Sequence, residues 1–387
     1  MFVLLRRFQL FISPRQKEVG IALLLPFFLL IIFISGETLV RLQQHLTFGN
    51  QQVLETDVNT QTWEKLDKRR RPRPNARLGQ IKFSSDGFRG KPMQMPKPEN
   101  TVRIGFFGSS TTIDLYVHND ADSWPAVALQ SLSETYPNCD FDFFNAGVPG
   151  YNIKASQQRF NEDALPYKLD IAVFLLSDVS GRVISQLRKQ GDELQSYRPS
   201  KFAQLSLLWL KIEKNVEALR LQRLAARDDI SLRINQEMLK AKLRKDASML
   251  AKTTLDAGVL PVFVENASRL RREQATKQQI DAAKSRLLYM PGIYIRDVTE
   301  ALYNNNTAQA EVARELDIPM ISTIKQMPSD AKYYADSSHT SQAGSRIFGR
   351  LVGKGLANDP RIISILTQRC GDGTLSKTES NFGYSEH

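Results

Sequence analysis

Residues 102–112 read Val102-Arg103-Ile104-Gly105-Phe106-Phe107-Gly108-Ser109-Ser110-Thr111-Thr112. A short apolar run ends in a glycine, small hydroxyl residues follow, and a helical stretch comes next near Ser123–Tyr136. This is the pattern of a buried strand turning into a helix, the opening of a βαβ unit. The same pattern recurs outward from it. Phe141–Asn145 reads as a second strand ending at Ala146-Gly147, and Ile171–Leu176 as a third, apolar enough to be covered on both faces. Val259–Val264 is a fourth, preceded by a helix that stops at Asp256-Ala257-Gly258. Ile318–Ser322 is the candidate fifth strand, with Ile293–Val298 as its rival, and His339–Gly355 reads as a terminal helix. The alternation predicts an α/β fold, flavodoxin-like and three-layer α/β/α, with a central parallel sheet and its site on the loops after the strand ends.

At 387 residues the chain is long enough for one such domain with appendages. The formal net charge of +11 is unevenly spread: residues 1–100 hold 16 Lys/Arg against 8 Asp/Glu, which leaves only +3 for residues 101–387. The basic excess therefore belongs to the N-terminal region, and nucleic acid is not expected as a partner of the main domain. Cys139 and Cys370 are too few for a disulfide framework and lack metal-ligand spacing. They fit one bridge or two free thiols equally well. Neither a metal nor a cofactor is expected.

Eighteen uncharged residues, Val19 to Gly36, lie between Glu18 and Glu37, just enough to cross a bilayer core as a helix. Arg6, Arg7, Arg15 and Lys17 precede the run, and the nearest basic residue after it is Arg41. The positive-inside rule then keeps residues 1–18 in the cytoplasm, makes 19–40 a transmembrane signal anchor, and puts the rest outside. The competing reading is a cleaved signal peptide, but this run is longer than such an apolar region and Ile34-Ser35-Gly36-Glu37-Thr38 is a poor cleavage site.

Residues 41–100 read as stalk and passage into the domain. Lys68-Arg69-Arg70-Arg71-Pro72-Arg73-Pro74 within them suggests an extended, solvated linker or a contact with anionic headgroups or an acidic polymer. The domain proper is expected at 101–358 and a C-terminal tail at 359–387. Residues 183–255 break the alternation: they read as a charged helical insertion with apolar spacing at Leu205, Leu208, Trp209, Ile212, Val216, Leu219 and Leu224. Such an insertion packs one face on the domain, or serves as a lid, a partner surface or a membrane-surface helix.

The four histidines narrow the chemistry. His45 lies just past the apolar run and His387 is the last residue, which leaves His118 and His339. His339 has Asp336 three residues before it, a spacing at which a loop entering a helix can join a base to the carboxylate that fixes its tautomer. Alone, the spacing also fits a surface pair. Ser110 stands where a buried strand ends and backbone N–H groups face a developing oxyanion, although a hydroxyl cluster there also fits an N-cap. Asn145-Ala146-Gly147-Val148-Pro149-Gly150-Tyr151 ends the next strand, with glycines that allow the close backbone approach an oxyanion donor needs.

In this order the pieces resemble the SGNH (GDSL-like) hydrolase superfamily, from about Val102 to Gly355. The first block, usually Gly-Asp-Ser, matches Gly108-Ser109-Ser110, with Ser109 as the small residue that membrane-anchored branches carry in place of aspartate. Asp86-Gly87-Phe88-Arg89-Gly90 resembles those branches too. The resemblance implies a Ser110 nucleophile, a His339 base, Asp336 as its partner, and an oxyanion held by the Ser110 and Gly147 N–H groups. The third block departs: Leu175-Leu176-Ser177-Asp178-Val179-Ser180 puts Ser177, or after a two-residue shift Val179, where the family has an asparagine amide. Losing one oxyanion donor typically costs about 10²–10³ in turnover.

What the resemblance implies is a single-pass protein of a bacterial inner membrane with a periplasmic esterase or O-acyltransferase domain. Its substrate would be a small acyl ester, acetyl foremost, of a cell-envelope or exported polysaccharide. Its partners would be a polysaccharide biosynthesis or export system, or a membrane acyltransferase. The alternative is a catalytically weak or inactive member that retains the fold to bind or assemble glycan.

Overall fold

The computed structural model describes residues 14–48, 62–66, 69–176, 179, 181–182, 198–225, 233–288, 290 and 292–371. In chain order the helices used below are α1 (Pro14–Phe48), α2 (Trp124–Thr135), α3 (Ile153–Arg159), α4 (Lys201–Leu205), α5 (Leu207–Ala225), α6 (Gln236–Asp256), α7 (Ile295–Glu315), α8 (Gln342–Asn358) and α9 (Pro360–Cys370). Contacts divide the chain into two units, residues 1–52 with 197–217 and residues 53–196 with 218–387.

The larger unit is built on five parallel strands, β1 (Thr101–Gly108), β2 (Asp140–Asn145), β3 (Ile171–Leu175), β4 (Leu260–Val264) and β5 (Met320–Ile321), in the order β2-β1-β3-β4-β5. This is the flavodoxin-like order, which creates a switch point beside β1, where successive connections leave to opposite sides of the sheet. All eight residues of β1 are buried, as expected of a central parallel strand covered on both faces. Its side chains alternate with period two. Ile104 and Phe106 face Trp124 of α2 and Phe348 of α8, while Phe107 faces Phe144, Phe160 and Phe174. On that second side α6 buries Leu239, Leu243 and Leu250, and α7 buries Val298, Ala301 and Val312. The two-residue β5 is the fifth strand; its rival segment opens α7 at Ile295 instead.

The basic segment read as a solvated stalk is part of this unit. Trp63–Lys65 pairs antiparallel with Arg70–Pro72, and Arg77–Leu78 with Ile81–Lys82. Trp63, Ile81 and Phe83 form a small core with Ile113, Val148 and Tyr151. The arginines are neutralised locally: Arg69 is buried between Glu162 at 2.6 Å and Asp163 at 2.7 Å, and Arg71 reaches Glu64 at 2.7 Å. Arg70 lies over the Trp63 ring, 4.7 Å from its centroid. A dense cationic run that would repel itself in water is thus held by three carboxylates and an indole face.

The tail expected from residue 359 begins later. α9 is a helix that buries Ile362 and Leu366, and Cys370 at its end is disulfide-bonded to Cys139, just before β2. Residues 372–387 lie outside the described set, as do 183–197 and 226–232 of the expected insertion.

The smaller unit contains α1, whose Leu24–Leu46 stretch is 23 residues long and apolar enough to cross a membrane. Leu24 to Ile32 are exposed on every side of the helix. Phe33, Gly36, Glu37 and Val40, on one face at helical spacing, are half-buried against residues 201–211.

Candidate active site

Gly108 ends β1 at φ 150°, and a Cβ there would lie 2.2 Å from Thr112 Oγ1 and 2.4 Å from the Leu175 carbonyl oxygen. Only glycine lets the chain turn this sharply between its own loop and the end of β3. The N–H groups of Thr112 and Ile113 then donate to the Ser109 carbonyl, and Trp124 Nε1 donates to that of Thr111. Ser110 is held at the lip of the sheet by this turn.

The loop before α8 brings the other two residues to it. Ser110 Oγ and His339 Nε2 are 2.7 Å apart, and His339 Nδ1 is 2.7 Å from Asp336 Oδ2. An ionised Asp336 only accepts, so Nδ1 carries the proton and Nε2 is left to receive one from Ser110. The carboxylate is further fixed through Oδ1, which accepts from the N–H of Ser338 at 2.8 Å and of His339 at 2.9 Å. Burial pushes the Asp336 carboxyl up, but the His339 ring and these backbone donors outweigh it and hold it below the usual carboxylate range. The ring of Tyr116 lies 5.3 Å from that of His339 in a T-shaped contact.

The oxyanion side differs from what the motifs imply. Among the described residues, nothing accepts from the N–H of Ser110, which remains available to a ligand. Gly147 does approach closely: a Cβ on it would lie 2.4 Å from Ile113 N. Its N–H, however, donates to Asn145 Oδ1 at 3.0 Å. Asn145 is buried and pinned from its other end, since Nδ2 donates to the Thr112 carbonyl at 2.8 Å. The assignment of Gly147 as an oxyanion donor is therefore corrected: a neighbouring amide, oriented by the nucleophile loop itself, occupies that N–H. Ser177 lies outside the described residues.

Two charged residues that the sequence reading did not assign hold the loops together. Asp114, fully buried and in the left-handed region at φ 59°, accepts from Thr340 Oγ1 at 3.0 Å, from Trp124 N at 2.9 Å and from Ser345 Oγ. It ties the Ser110 loop to the residue after His339. Burial pushes its carboxyl above the ordinary value, against the pull of Ser345, Trp124, Arg89 and Thr340. Arg89 is buried too: its guanidinium donates to the carbonyls of Ile113 at 2.5 Å, Asp114 at 3.1 Å and Val117 at 2.6 Å, and to Asp120 at 2.8 Å. Its backbone pairs with Asn145. The only sequence signal for either was position, Asp114 four residues past Ser110 and Arg89 inside the segment Asp86–Gly90. Among the described residues no group of three or more His, Cys, Asp or Glu side chains could hold a metal.

No protein-family model and no curated protein matches this chain. Solved structures resemble it distantly. A lipolytic protein of the G-D-S-L family from Desulfitobacterium hafniense is 12% identical over 66% of this chain and 99% of its own, with a TM-score of 0.38. An acetylxylan esterase from Geobacillus stearothermophilus is 11% identical over 66% of this chain and 93% of its own, at 0.40. A GDSL-like lipase from Bacteroides thetaiotaomicron is 11% identical over 68% of this chain and 88% of its own, at 0.35. At such identities the likeness is one of fold alone. Strand order, the serine at the end of β1 and the Asp-x-x-His loop before α8 agree with the sequence blocks that resemble the SGNH (GDSL-like) hydrolase superfamily.

Proposed function

We propose that this chain is a membrane-anchored serine esterase or O-acyltransferase acting on a small acyl ester, acetyl foremost, of a cell-envelope or exported polysaccharide. The observation that carries the reading is the continuous relay Ser110 Oγ to His339 Nε2 and His339 Nδ1 to Asp336, each link 2.7 Å. Such a relay does one thing well: it delivers a hydroxyl oxygen to a carbonyl carbon while removing its proton.

Ser110 Oγ attacks the acyl carbonyl as its proton passes to His339 Nε2, and Asp336 balances the imidazolium. The N–H of Ser110 meets the oxyanion. Collapse expels the sugar alkoxide, which takes the proton from His339, and leaves the acyl group on Ser110. Water then completes hydrolysis, or a second sugar hydroxyl completes transfer; in both cases His339 removes the proton of the incoming oxygen. The exposed Tyr116 ring beside His339 is an aromatic surface of the sort a pyranose packs against.

The location outside a bacterial inner membrane is supported by the Leu24–Leu46 span with its basic N-terminal flank and by the Cys139–Cys370 bridge, a bond of oxidising compartments. A polysaccharide export system or a membrane acyltransferase would bring the acylated carbohydrate to the domain. One observation favours a second reading, a weak or inactive glycan binder: the Gly147 N–H is taken by Asn145.

The test is labelling of the purified full-length protein by a fluorophosphonate at neutral pH. Attachment at Ser110, abolished in Ser110→Ala and sharply reduced in His339→Ala, is the expected result. A folded wild-type protein that stays unlabelled removes the enzyme reading and leaves the binder.

A further inference from the structure

The smaller unit carries an arrangement that membrane anchoring by α1 does not require. α4 and the start of α5 pack on the outer end of the span. Phe202 lies against Phe33, with ring centroids 6.3 Å apart, and Leu208 meets Gly36. Phe33 belongs to the uncharged run, one turn inward of Glu37, the first charge after it. α4 therefore sits at hydrocarbon depth if α1 spans the bilayer.

The polar groups at the turn of this segment find partners within the unit. The turn between α4 and α5 is served by the anchor helix: Glu37 accepts from Ser206 Oγ at 2.8 Å and from the N–H groups of Leu207 at 3.1 Å and Leu208 at 2.9 Å. Arg41, paired with Glu37 at 2.6 Å, donates to the Leu205 carbonyl at 3.2 Å. Ser206 N donates to the Phe202 carbonyl, and the Ser206 carbonyl accepts from Leu210. Ser200 Oγ caps the start of α4 at Ala203. The apolar side chains are treated the opposite way: Phe202 is 54% and Leu205 76% exposed, and Trp209 packs edge-on against Phe202 while remaining exposed. In water this is backwards, since apolar groups lie open while the backbone of a turn is sealed. In lipid it is what a non-helical segment needs. Trp209 has its ring at this level and its Nε1 donating to Glu213, one turn along α5, the polar-end-outward pose of interfacial tryptophan.

We infer that Phe202, Leu205 and Trp209 form a wedge seated in the outer leaflet of the same bilayer that α1 spans, a second membrane contact beside the anchor. The occupant of this face is phospholipid acyl chain. The inference rests on the reading of α1 as a membrane span.

The test uses full-length protein reconstituted in phosphatidylcholine vesicles whose acyl chains carry bromine at shallow or deep positions. Of the chain's three tryptophans, Trp63 and Trp124 are buried in the larger unit, so lipid bromine should reach Trp209 alone. Shallow bromine should quench wild type more than deep bromine does. The quenchable emission should vanish in Trp209→Phe and fall severalfold in Leu205→Asp, a change at an open position that folding should tolerate. Equal quenching of wild type and Trp209→Phe overturns the wedge, as does a Leu205→Asp protein quenched like wild type. Retention in the vesicle fraction after alkaline carbonate is scored separately. Protein retained but unquenched refutes the wedge and spares the anchor, whereas protein released by carbonate refutes both.

Discussion

The two halves of the site are built to different standards. On the proton-relay side Ser110, His339 and Asp336 are joined by two 2.7 Å contacts, and Asp336 spends its second oxygen on two backbone N–H groups. On the oxyanion side one N–H, that of Ser110, is open, and a second, that of Gly147, is closed by Asn145. Nucleophile activation is therefore preformed, while among the described residues a single open N–H is there to meet the oxyanion. Because oxyanion stabilisation is usually the largest catalytic contribution, turnover should be limited on that side.

The largest effect comes from the complete half. Ser110→Ala and His339→Ala should each lower turnover of p-nitrophenyl acetate by about 10³-fold or more, and the double variant should be hardly worse than either alone, since the residues act as a unit. Additive losses in the double variant would mean that the contacts do not form a working relay. Asp336→Asn keeps the shape but offers Nδ1 an amide, and should cost about 10²–10⁴-fold in kcat with little change in KM.

Next comes the bond between the halves. Asp114→Ala strands the buried N–H of Trp124 and takes a partner from the hydroxyl of half-buried Thr340 and from that of Ser345, which keeps only the Asp122 carbonyl at 2.9 Å. Buried groups left unmet cost about 1–3 kcal/mol each, and a loss of roughly 2–4 kcal/mol in urea unfolding is expected. Thr340→Val removes one of these bonds only. It should leave stability within about 1 kcal/mol while lowering kcat, because the loop carrying His339 loses its tie to the loop carrying Ser110. Unchanged kcat in Thr340→Val would show that the relay is held by other contacts.

A smaller effect probes the incomplete half. Ser177, outside the described residues, is one of two positions, with Val179, that can align with the asparagine of the family motif. Ser177→Asn should raise turnover by up to about 10-fold at nearly constant KM, less than a native donor is worth because the site was not shaped for it. Ser177→Ala should lower turnover if the hydroxyl donates; identical behaviour of Ala and wild type removes Ser177 from the oxyanion site.

The same contrast explains what could be read from sequence. β1 and β3 were legible because a strand buried on both faces must be a continuous apolar run, and the relay because its residues are rare types at a short spacing. Arg69 and Arg71 misled because Glu162 and Asp163, which pair with them, lie over 90 positions away, and a cationic run whose main partners are remote reads as solvated. The Cys139–Cys370 bond spans 231 positions and left no local mark. Gly147 was legible as a close approach but not as a closed donor, because Asn145 is oriented by the Thr112 carbonyl, a contact between two strand-end loops.

The smallest predicted effect separates the two acids of the site, Asp336 and Asp114, by sign. The Asp336 carboxyl is held below the ordinary 3.8, so it contributes stability that is present above that value and lost as pH falls through its folded pKa. The Asp114 carboxyl is pushed above 3.8 by burial, so folding favours its protonated form. Its contribution is therefore most favourable in acid and declines as pH rises from about 3.8 toward the folded value, where it levels off. An asparagine at position 114 can place its oxygen toward Trp124 and Ser345 and its amide toward Thr340, keeping the bonds without the titration. Asp114→Asn should accordingly gain on wild type as pH rises through that window, read as the shift in urea midpoint at each pH. Asp336→Asn should lose ground on wild type over the opposite window, as pH rises from the lowered folded value of Asp336 to about 3.8, because wild type alone gains an ionised, hydrogen-bonded carboxylate there. Parallel curves for Asp114→Asn and wild type would mean that Arg89 and the three donors keep Asp114 ionised after all, and the tie between the loops would then be a charged one.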